Sequence, residues 1–337
     1  MKKKLETSTD SIVDKLNQKF GVGTVLQSDE DVSNVRATST GCLGLDRVFG
    51  CGGLPEGRVI EIYGAESSGK TTMTLFIAAQ LQKQGKKIAF VDVEQAFDRS
   101  WAKKLGVDVD KMIVTQPSTV EDTLNIVRAI AESNEFSMII IDSVEAMIPS
   151  KELEEGALEK DSIGLKARLL NKYLRVITSE AAKTQTSIVF INQVRANVGV
   201  LYGPKDITPG GKALKFYASV RLSVSKGEAL KNGNEQIGNT VRVVAKKNKV
   251  GFPFREVELD LYYMSGIDLV KDTLDNAVEN GVIKLDKRTY SYENTKIGTS
   301  KEEATSYLRD NKEVYERIHA SVRQAIASRD IQPEEGA

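Results

Sequence analysis

The chain has 337 residues, 40% of them hydrophobic and 28% charged, and its 47 basic and 47 acidic residues give a formal net charge of zero. This composition predicts a soluble globular protein with a large core. The overall charge indicates no particular partner, so binding to nucleic acid has to come from local patches. Because the sequence has no long apolar run and no secretory signal, we expect no membrane span. Two cysteines and one histidine predict a reduced, cytoplasmic protein and argue against a disulfide or histidine metal protein.

Residues 1–33 are predicted to form an N-terminal arm. Apolar side chains at Ile12, Val13, Leu16 and Phe20 predict a short helix, and a glycine break then precedes a short strand around residues 24–26. An arm of this size has no core of its own. It either packs on a neighbouring subunit as an oligomerisation arm or folds back on its own chain, and the sequence favours neither.

Residues 34–269 are predicted to form the main domain. From Arg58 onward, helical patterns alternate with the apolar stretches RVIEIYG, KKIAFVDVE, FSMIIIDS and TSIVFINQ. Continuous apolar strands that alternate with helices predict a parallel sheet covered on both faces. After Gly211, three stretches predict antiparallel strands that extend this sheet: KFYASVRLSVSK, NTVRVVAKKNK and REVELDLYY. Ser118 and Glu121 have the spacing of a capping box and predict a helix start.

Residues 270–337 are predicted to form a small α+β domain. Beyond about Ile267 the pattern is again helical, interrupted by the strand-like stretch YSYE. Ser300 and Glu303 have capping-box spacing and predict another helix start. The whole chain is therefore predicted to be an α/β protein with an arm, a main domain and a small C-terminal domain.

The strongest local motif is GAESSGKTT, which matches G-x-x-x-x-G-K-[ST] and stands between a predicted strand and a predicted helix. Glycines let successive backbone N–H groups converge on phosphate oxygens, and the helix N-terminus adds positive partial charge. Lys70 is expected to bridge the β- and γ-phosphates of ATP, and the Thr71 hydroxyl to bind Mg²⁺. The predicted nucleotide-binding residues of this loop are Gly64, Ala65, Glu66, Ser67, Ser68, Gly69, Lys70, Thr71 and Thr72.

Further polar side chains are predicted at the same edge of the sheet, where ligands of α/β proteins collect. Asp142 ends the apolar run MIII and is the expected partner of Thr71 at Mg²⁺. Many P-loop ATPases carry a glutamate directly after this aspartate, but here the next residue is Ser143, so the group that activates water must lie elsewhere. Glu94, which ends KKIAFVDVE, is the candidate base, although its simpler interpretation is a helix cap.

Gln193 ends the stretch TSIVFINQ at the same predicted edge. Its amide is a candidate donor to the γ-phosphate, and its simpler interpretation is a solvated strand end. A long, glycine-rich loop with little charge follows it. Loops longer than about 12–15 residues are uncommon in compact domains and are usually functional or disordered.

Several stretches resemble the bacterial RecA recombinase family. In chain order they are EIYGAESSGKTT, LGVDVDKM, IIIDSVEAMIP, FINQVR, TPGGKALKFYASVRL and KNKVGFPF, and the similarity runs from about Ser11 to Ile326. The resemblance implies a P-loop ATPase core of the RecA type between the arm and the C-terminal domain. It also implies a DNA-dependent ATPase that forms filaments on single-stranded DNA, pairs it with homologous duplex DNA and exchanges strands in recombinational repair. The implied cofactors are ATP and Mg²⁺.

The resemblance carries roles over to single residues. Glu94 matches the catalytic base, Asp142 the Mg²⁺-linked acid and Gln193 the γ-phosphate sensor. Positions around adenine are matched by Asp98, Trp101 and Tyr263. At the contact with the next subunit, Lys247 and Lys249 match lysines that reach the neighbour's ATP, and Phe216 matches an interface position that reports the nucleotide state.

The resemblance also implies DNA contacts. In this sequence, the matching polar and glycine positions are Arg168, Arg175, Arg195, Gly210 and Gly211. Ile163 and Val198 match apolar residues that wedge between base triplets. Lys212 stands where asparagine is usual in the family and adds a positive charge near phosphate.

Two other functions fit the same residues and stay open at this point. A RecA-fold ring helicase would use the same core to separate strands, and it would form rings in place of open helices. A signalling filament without strand exchange would promote self-cleavage of a LexA-like repressor in the SOS response, a role that is also compatible with recombination. The basic residues at positions 242, 246, 247 and 249 have three interpretations that stay open. They either contact DNA, bind ATP across a subunit interface or form a solvated strand face.

Overall fold

The computed structural model describes residues 14–16, 18–19, 35–155, 164–196 and 206–331. Residues 1–36 and residues 37–337 form two compact units. Within the predicted arm, residues 14–16 and 18–19 are helical, as the apolar spacing predicted, whereas the strand predicted around residues 24–26 lies outside the described residues. All further description concerns residues from 37 onward.

Helices and strands alternate along most of this unit. The helices are α1 Leu43–Phe49, α2 Lys70–Lys83, α3 Arg99–Lys104, α4 Val120–Glu132, α5 Ser150–Glu155, α6 Leu165–Thr184, α7 Ala213–Tyr217, α8 Leu269–Glu279, α9 Lys301–Asp310 and α10 Lys312–Ile331. The strands up to the middle of the chain are β1 Ala37–Thr38, β2 Leu54–Pro55, β3 Val59–Gly64, β4 Ile88–Asp92, β5 Ile113–Thr115, β6 Met138–Asp142, β7 Ser187–Gln193, β8 Arg195–Ala196 and β9 Asp206–Ile207. The remaining strands are β10 Val220–Asn232, β11 Glu235–Asn248, β12 Glu256–Tyr262, β13 Gly266–Ile267, β14 Lys284–Asp286, β15 Thr289–Tyr292 and β16 Thr295–Gly298.

Nine of the described strands form one sheet, in the order β13-β12-β11-β10-β3-β7-β6-β4-β5. The six strands from β10 to β5 are parallel to their neighbours, and β11, β12 and β13 add to the other side in antiparallel fashion. This arrangement confirms the predicted parallel sheet with an antiparallel extension. The parallel strands β3, β4, β6 and β7 therefore end at one common edge.

The two faces of the sheet pack into two separate cores. Along β6, Met138 and Ile140 enter the core beneath α2, whereas Ile139 and Ile141 enter the core beneath α4 and α6. Side chains of a strand point alternately to opposite faces, so a strand that is apolar at every position has to be covered on both sides. This explains why the central strands read as continuous apolar runs.

Two local predictions were wrong in detail. The residues KFY, predicted to begin a strand, belong to the short helix α7, and β10 starts only at Val220. Helix α4 is capped by Thr119, which accepts a hydrogen bond from the Asp122 N–H at 3.0 Å, and not by Ser118 with Glu121. Serine and threonine are both good N-caps. Their order in the sequence does not decide which of them adopts the extended backbone that a cap requires.

The region after α8 has its own small sheet and core. Strands β14, β15 and β16 form a three-stranded antiparallel sheet, and buried apolar residues of α8, α9 and α10 pack with Leu43 of α1. Ser300 caps α9 by accepting from the Glu303 N–H, which confirms the predicted cap. Residues 37–337 form a single compact unit, so the domain boundary predicted after residue 269 stays a prediction.

Candidate nucleotide and DNA site

The phosphate-loop motif forms a turn between β3 and α2, as its sequence context predicted. Helix α2 begins at Lys70, and its N-cap Gly69 has a left-handed backbone with φ +92°. A Cβ on Gly64 would stand 2.0 Å from the Val224 carbonyl oxygen, so only glycine fits beneath the loop. Lys70 is 7% exposed, and its Nζ donates to the carbonyl oxygens of Gly64 at 3.2 Å and Ala65 at 2.7 Å. The ammonium is thus held inside the loop that the motif predicts as a phosphate cradle.

Thr71 and Asp142 meet across the site. The Thr71 hydroxyl donates to Asp142 Oδ2 at 2.7 Å, which joins the start of α2 to the end of β6. Burial raises the pKa of the Asp142 carboxyl to about 6, and the bond from Thr71 opposes this shift. Burial also lowers the pKa of the Lys70 ammonium. The two charged groups lie in a partly dehydrated site, where electrostatic interactions are stronger than in water.

Glu94 and Ser143 are brought together by the ends of β4 and β6. The Ser143 hydroxyl donates a short hydrogen bond to Glu94 Oε1, and the Glu94 N–H donates to the Asp142 carbonyl oxygen at 3.2 Å. Ser143 is fully buried. From the sequence alone, Ser143 is only the position where a glutamate is absent. The structure shows that its hydroxyl fixes the carboxylate of the candidate base.

Asp92 is a second residue that the sequence argument missed. Its buried carboxylate accepts from the Ala96 and Phe97 N–H groups, both at 3.1 Å, and from Gln116 Nε2 at 2.9 Å. These bonds fold the loop that carries Glu94. The available signal was an aspartate inside the otherwise apolar stretch IAFVDV, because a buried carboxylate has to find hydrogen-bond donors.

Asp98, Trp101 and Tyr263 lie beside the phosphate loop. Asp98 caps α3 by accepting from the Trp101 N–H at 3.0 Å, and the Trp101 indole donates to the Tyr263 carbonyl oxygen at 3.0 Å. The Tyr263 hydroxyl accepts from Gln236 and Asn239, each at 2.8 Å. Two aromatic side chains are thus fixed at the rim of the site, and the two amides that hold Tyr263 were not predicted.

A cavity of about 310 Å³ joins these groups. Its lining includes Lys70, Thr71, Glu94, Asp98, Trp101 and Asp142. A second cavity of about 190 Å³ lies beside the phosphate loop and is lined in part by Ser67, Thr72, Lys226 and Tyr263. Within the described residues, no three acidic, cysteine or histidine side chains cluster as a metal site. Mg²⁺ in phosphate-binding enzymes takes one or two carboxylates and completes its shell with water and substrate phosphate, so the Thr71–Asp142 pair fits it.

Two known domain families match this chain. The RecA N-terminal domain family matches residues 7–268, and the RecA C-terminal domain family matches residues 271–327. The chain belongs to the RecA family. It is 46% identical over 324 residues to the protein RecA of Thermus aquaticus, which covers 96% of this chain and 95% of that protein. It is 41% identical over 324 residues to the protein RecA of Clostridium tetani, which covers 96% and 92%.

A solved structure of the RadB recombinase has the same fold. The two align with a TM-score of 0.51 and 22% identity over 68% of this chain and 97% of that chain, which shows the shared architecture alone. RecA family membership confirms the predicted RecA-type fold and makes the chain an ATP-hydrolysing DNA recombinase of DNA repair. It also implies binding to DNA and assembly into a filament. This favours the recombinase over the ring helicase. In the part of the chain that the structure describes, no helix combines the length and apolar character that membrane crossing requires.

Gln193 lies directly beside the phosphate loop. It is the register partner of Gly64 across β7 and β3, and the Val194 N–H donates to the Gly64 carbonyl oxygen at 3.2 Å. The side chain of the preceding Asn192 is buried and donates to Glu61 at 3.0 Å and to the Pro209 carbonyl oxygen at 3.1 Å. Asn192 therefore ties the start of the long loop to its end.

Glu61 and Arg221 form a buried ion pair between β3 and β10. Glu61 is fully buried and Arg221 is 8% exposed, and the guanidinium donates a short hydrogen bond to the carboxylate. Because Asn192 also donates to Glu61, this carboxylate has two partners in the protein interior. This network was not predicted, although a charged residue within the apolar stretch RVIEIYG is a signal for it.

The predicted DNA-contact residues fall partly within the described residues. Arg168 and Arg175 are exposed on α6, where a spacing of seven places them on one face. A Cβ on Gly211 would stand 2.9 Å from Ala167 Cβ, so the end of the long loop packs closely on α6. Lys212 is exposed. Ile163 and Val198 lie outside the described residues, and of Arg195 only the backbone is described, in β8 paired with β9.

Phe216, Lys247 and Lys249 form what we call the subunit face. Phe216 is 65% exposed, and Lys249 is exposed as well. Lys247 Nζ donates to the carbonyl oxygens of Lys215 at 2.7 Å and Phe216 at 2.9 Å, which ties β11 to α7. Burial, together with the charges of Lys249 and Arg221, lowers the pKa of Lys247 to about 8.

Proposed function

We propose that ATP binds in the cavity between the phosphate loop and Asp142, and that its hydrolysis controls the grip of this recombinase on single-stranded DNA. The observation that carries the proposal is the convergence of Lys70, Thr71, Asp142 and Glu94 on one cavity. Backbone N–H groups of the loop and the Lys70 ammonium bind the β- and γ-phosphates. Asp98, Trp101 and Tyr263 receive the adenine.

Mg²⁺ fits the pair formed by Thr71 and Asp142. Both groups offer hard oxygen atoms, and their 2.7 Å hydrogen bond shows that they reach the same point. When bound there, the ion neutralises charge on the phosphates. The carboxyl of Asp142 has a pKa raised to about 6 by burial, and a cation beside it favours the carboxylate form.

Glu94 acts as the general base. The Ser143 hydroxyl binds Oε1, so we assign Oε2 as the atom that accepts the proton from the attacking water. The bond from Ser143 holds the carboxylate in one orientation, which is necessary because proton transfer requires a defined geometry. Asp92 supports this arrangement by folding the loop that carries Glu94.

Gln193 couples the nucleotide to DNA. The register pairing of Gln193 with Gly64 supports this role, and the long loop begins directly after Gln193. Arg168, Arg175, Arg195 and Lys212 bind the DNA backbone, the N–H groups of Gly210 and Gly211 add to this contact, and Ile163 and Val198 wedge between base triplets. Backbone contacts carry no sequence information, so base pairing with the homologous duplex supplies the specificity.

A second copy of the chain completes the site in the filament. The subunit face carries two lysines and an exposed aromatic side chain, whereas the opening of the nucleotide cavity carries Glu94 and Asp98, so the two surfaces are complementary in charge. Lys247 and Lys249 of the neighbouring copy stabilise negative charge that develops on the phosphates, in the manner of an arginine finger. Phe216 reports the nucleotide state across the same contact.

Two variants test the role of the base. Glu94→Gln is expected to lower DNA-stimulated ATP turnover about 10²–10⁴-fold, the range of general acid–base catalysis. Ser143→Ala is expected to lower it about tenfold, because it removes one hydrogen bond to a charged group. Turnover is measured with and without single-stranded DNA, and ATP binding is followed by the fluorescence of Trp101, the single tryptophan. Turnover close to that of the unaltered chain in Glu94→Gln would exclude Glu94 as the base.

Two further predictions rest on the family resemblance. Promotion of self-cleavage of a LexA-like repressor stays a prediction, and incubation of such a repressor with the chain, ATP and single-stranded DNA tests it. The cytoplasmic location also stays a prediction.

A further inference from the structure

Val144 lies where α6 meets the end of the long loop, the two elements that carry the proposed DNA contacts. It is also close to the proposed catalytic carboxylates. Its N–H donates to the Ile191 carbonyl oxygen at 3.0 Å, two residues before Gln193. A Cβ on Gly210 would stand 3.1 Å from Val144 Cγ1 and 2.8 Å from Leu170 Cδ1, so the end of the long loop lies against both Val144 and α6. Val144 also directly follows Ser143, whose hydroxyl binds Glu94.

Lys166 joins α6 to this same backbone. Its Nζ donates to the Glu145 carbonyl oxygen at 2.9 Å and, more weakly, to the Val144 carbonyl oxygen at 3.4 Å. Burial lowers the pKa of this ammonium, and the carboxylate of Glu152 opposes the shift. A hydrogen bond from a charged donor is stronger than one between neutral groups. Lys166 is therefore a firm link between the first turn of α6 and the segment after β6.

We propose that Lys166 is a positioning residue that transmits DNA contact on α6 to the catalytic base. The link runs from α6 through Lys166 to the backbone of Val144 and Glu145, and from there through Ser143 to Glu94. Arg168 lies two residues after Lys166 on the same helix. A shift of α6 when Arg168 engages a DNA phosphate therefore pulls on the peptide groups that hold Ser143. This inference rests on the proposed roles of Arg168 and Glu94.

The arrangement differs from a purely structural contact in one respect. A bond that only stabilised the fold would affect turnover equally with and without DNA. A bond that transmits DNA contact matters most when DNA is bound to α6. Its loss therefore lowers the ratio of DNA-stimulated to DNA-free turnover.

Lys166→Met tests the link, because methionine keeps much of the side-chain volume and removes the donor. At saturating poly(dT) and ATP, we expect the ratio of DNA-stimulated to DNA-free turnover to fall about fivefold, the lower end of typical coupling between sites. The poly(dT) concentration for half-maximal stimulation is measured in parallel and is expected to stay within about twofold. Lys166→Arg keeps a charged donor and is expected to recover most of the ratio.

The matched control is Lys183→Met, which makes the same substitution at the exposed last turn of the same helix. It is expected to leave the ratio unchanged. An unchanged ratio in Lys166→Met overturns the proposal, and so does a loss that appears only as a higher half-maximal poly(dT) concentration. Equal losses in Lys166→Met and Lys166→Arg, with a lowered melting temperature in both, assign Lys166 to the fold alone. Failure of the proposed function is seen separately, as normal turnover in Glu94→Gln or absent stimulation of the unaltered chain.

Discussion

The nucleotide cavity and the subunit face differ in how far one chain completes them. In the cavity, Lys70 is 7% exposed, and each charged group described there has a partner within the same chain. On the subunit face, Phe216 is 65% exposed and Lys247 donates to two backbone carbonyl oxygens. Aromatic side chains are enriched at surfaces that bind a partner.

This difference separates two requirements of the ATPase. The phosphate loop and the carboxylate that we propose as the base, Glu94, are arranged within a single chain. The lysines that we assign to transition-state charge arrive only when a neighbour binds. Hydrolysis is therefore expected to depend on assembly, while binding of nucleotide is expected to be a property of the single chain.

The largest effect is expected from Lys70→Ala, which removes the ammonium group from the nucleotide cavity. Removal of one preorganised donor from an active site typically costs about 10²–10³ in turnover. We expect a loss of at least this size in ATPase activity and the abolition of ATP-dependent strand exchange. Both are measured with single-stranded DNA and a homologous duplex, and strand exchange by the variant at the normal rate would contradict the assignment.

A smaller effect is expected from Lys249→Ala, which alters only the subunit face. DNA-stimulated turnover should fall at least about tenfold, because a cation supplied in trans stabilises the transition state. Binding of ATP by the isolated chain, followed by Trp101 fluorescence, should remain. The matched control is Lys246→Ala, which removes another exposed lysine of the same segment, three positions earlier. Unchanged stimulated turnover in Lys249→Ala would remove the role in trans.

The smallest effect concerns the chemical reactivity of Lys247. With a pKa of about 8 in place of 10.5, its amine loses its proton as the pH rises through 8, well before that of an ordinary lysine. At about pH 7.5 we therefore expect Lys247 to react with an acylating reagent about tenfold faster than an exposed lysine such as Lys172, even though two carbonyl oxygens hold it. Peptide mass spectrometry measures the rates, and assembly with DNA and ATP is expected to protect Lys247. Equal labelling with and without assembly would place this residue outside the interface.

Patterns that lie within one short segment could be predicted from the sequence. The phosphate-loop motif consists of nine consecutive residues, Gly64 to Thr72. The central strands are predicted by continuous apolar runs. The prediction for residues KFY was wrong because a helix of five residues is too short to show a period of 3.6. The cap of α4 was misplaced by one residue because Ser118 and Thr119 are chemically equivalent there.

Contacts between distant segments could not be predicted in the same way. Ser143 and Glu94 are 49 positions apart, and Asn192 and Glu61 are 131 apart. Their meeting depends on the order of strands in the sheet and on where each strand ends. Nothing in the local sequence around Ser143 indicates that its hydroxyl faces a carboxylate.

The sequence by itself therefore determined the phosphate loop, the class of fold and the candidates Glu94, Asp142 and Gln193, because each follows from local patterning or from a motif of consecutive residues. The tertiary structure alone decided which side chains orient those candidates. Ser143 holds Glu94, and Lys166 joins α6 to the backbone that follows Ser143. The physical reason is that a hydrogen bond between distant residues is specified by strand order and register, which arise from packing of the whole core and not from any single segment.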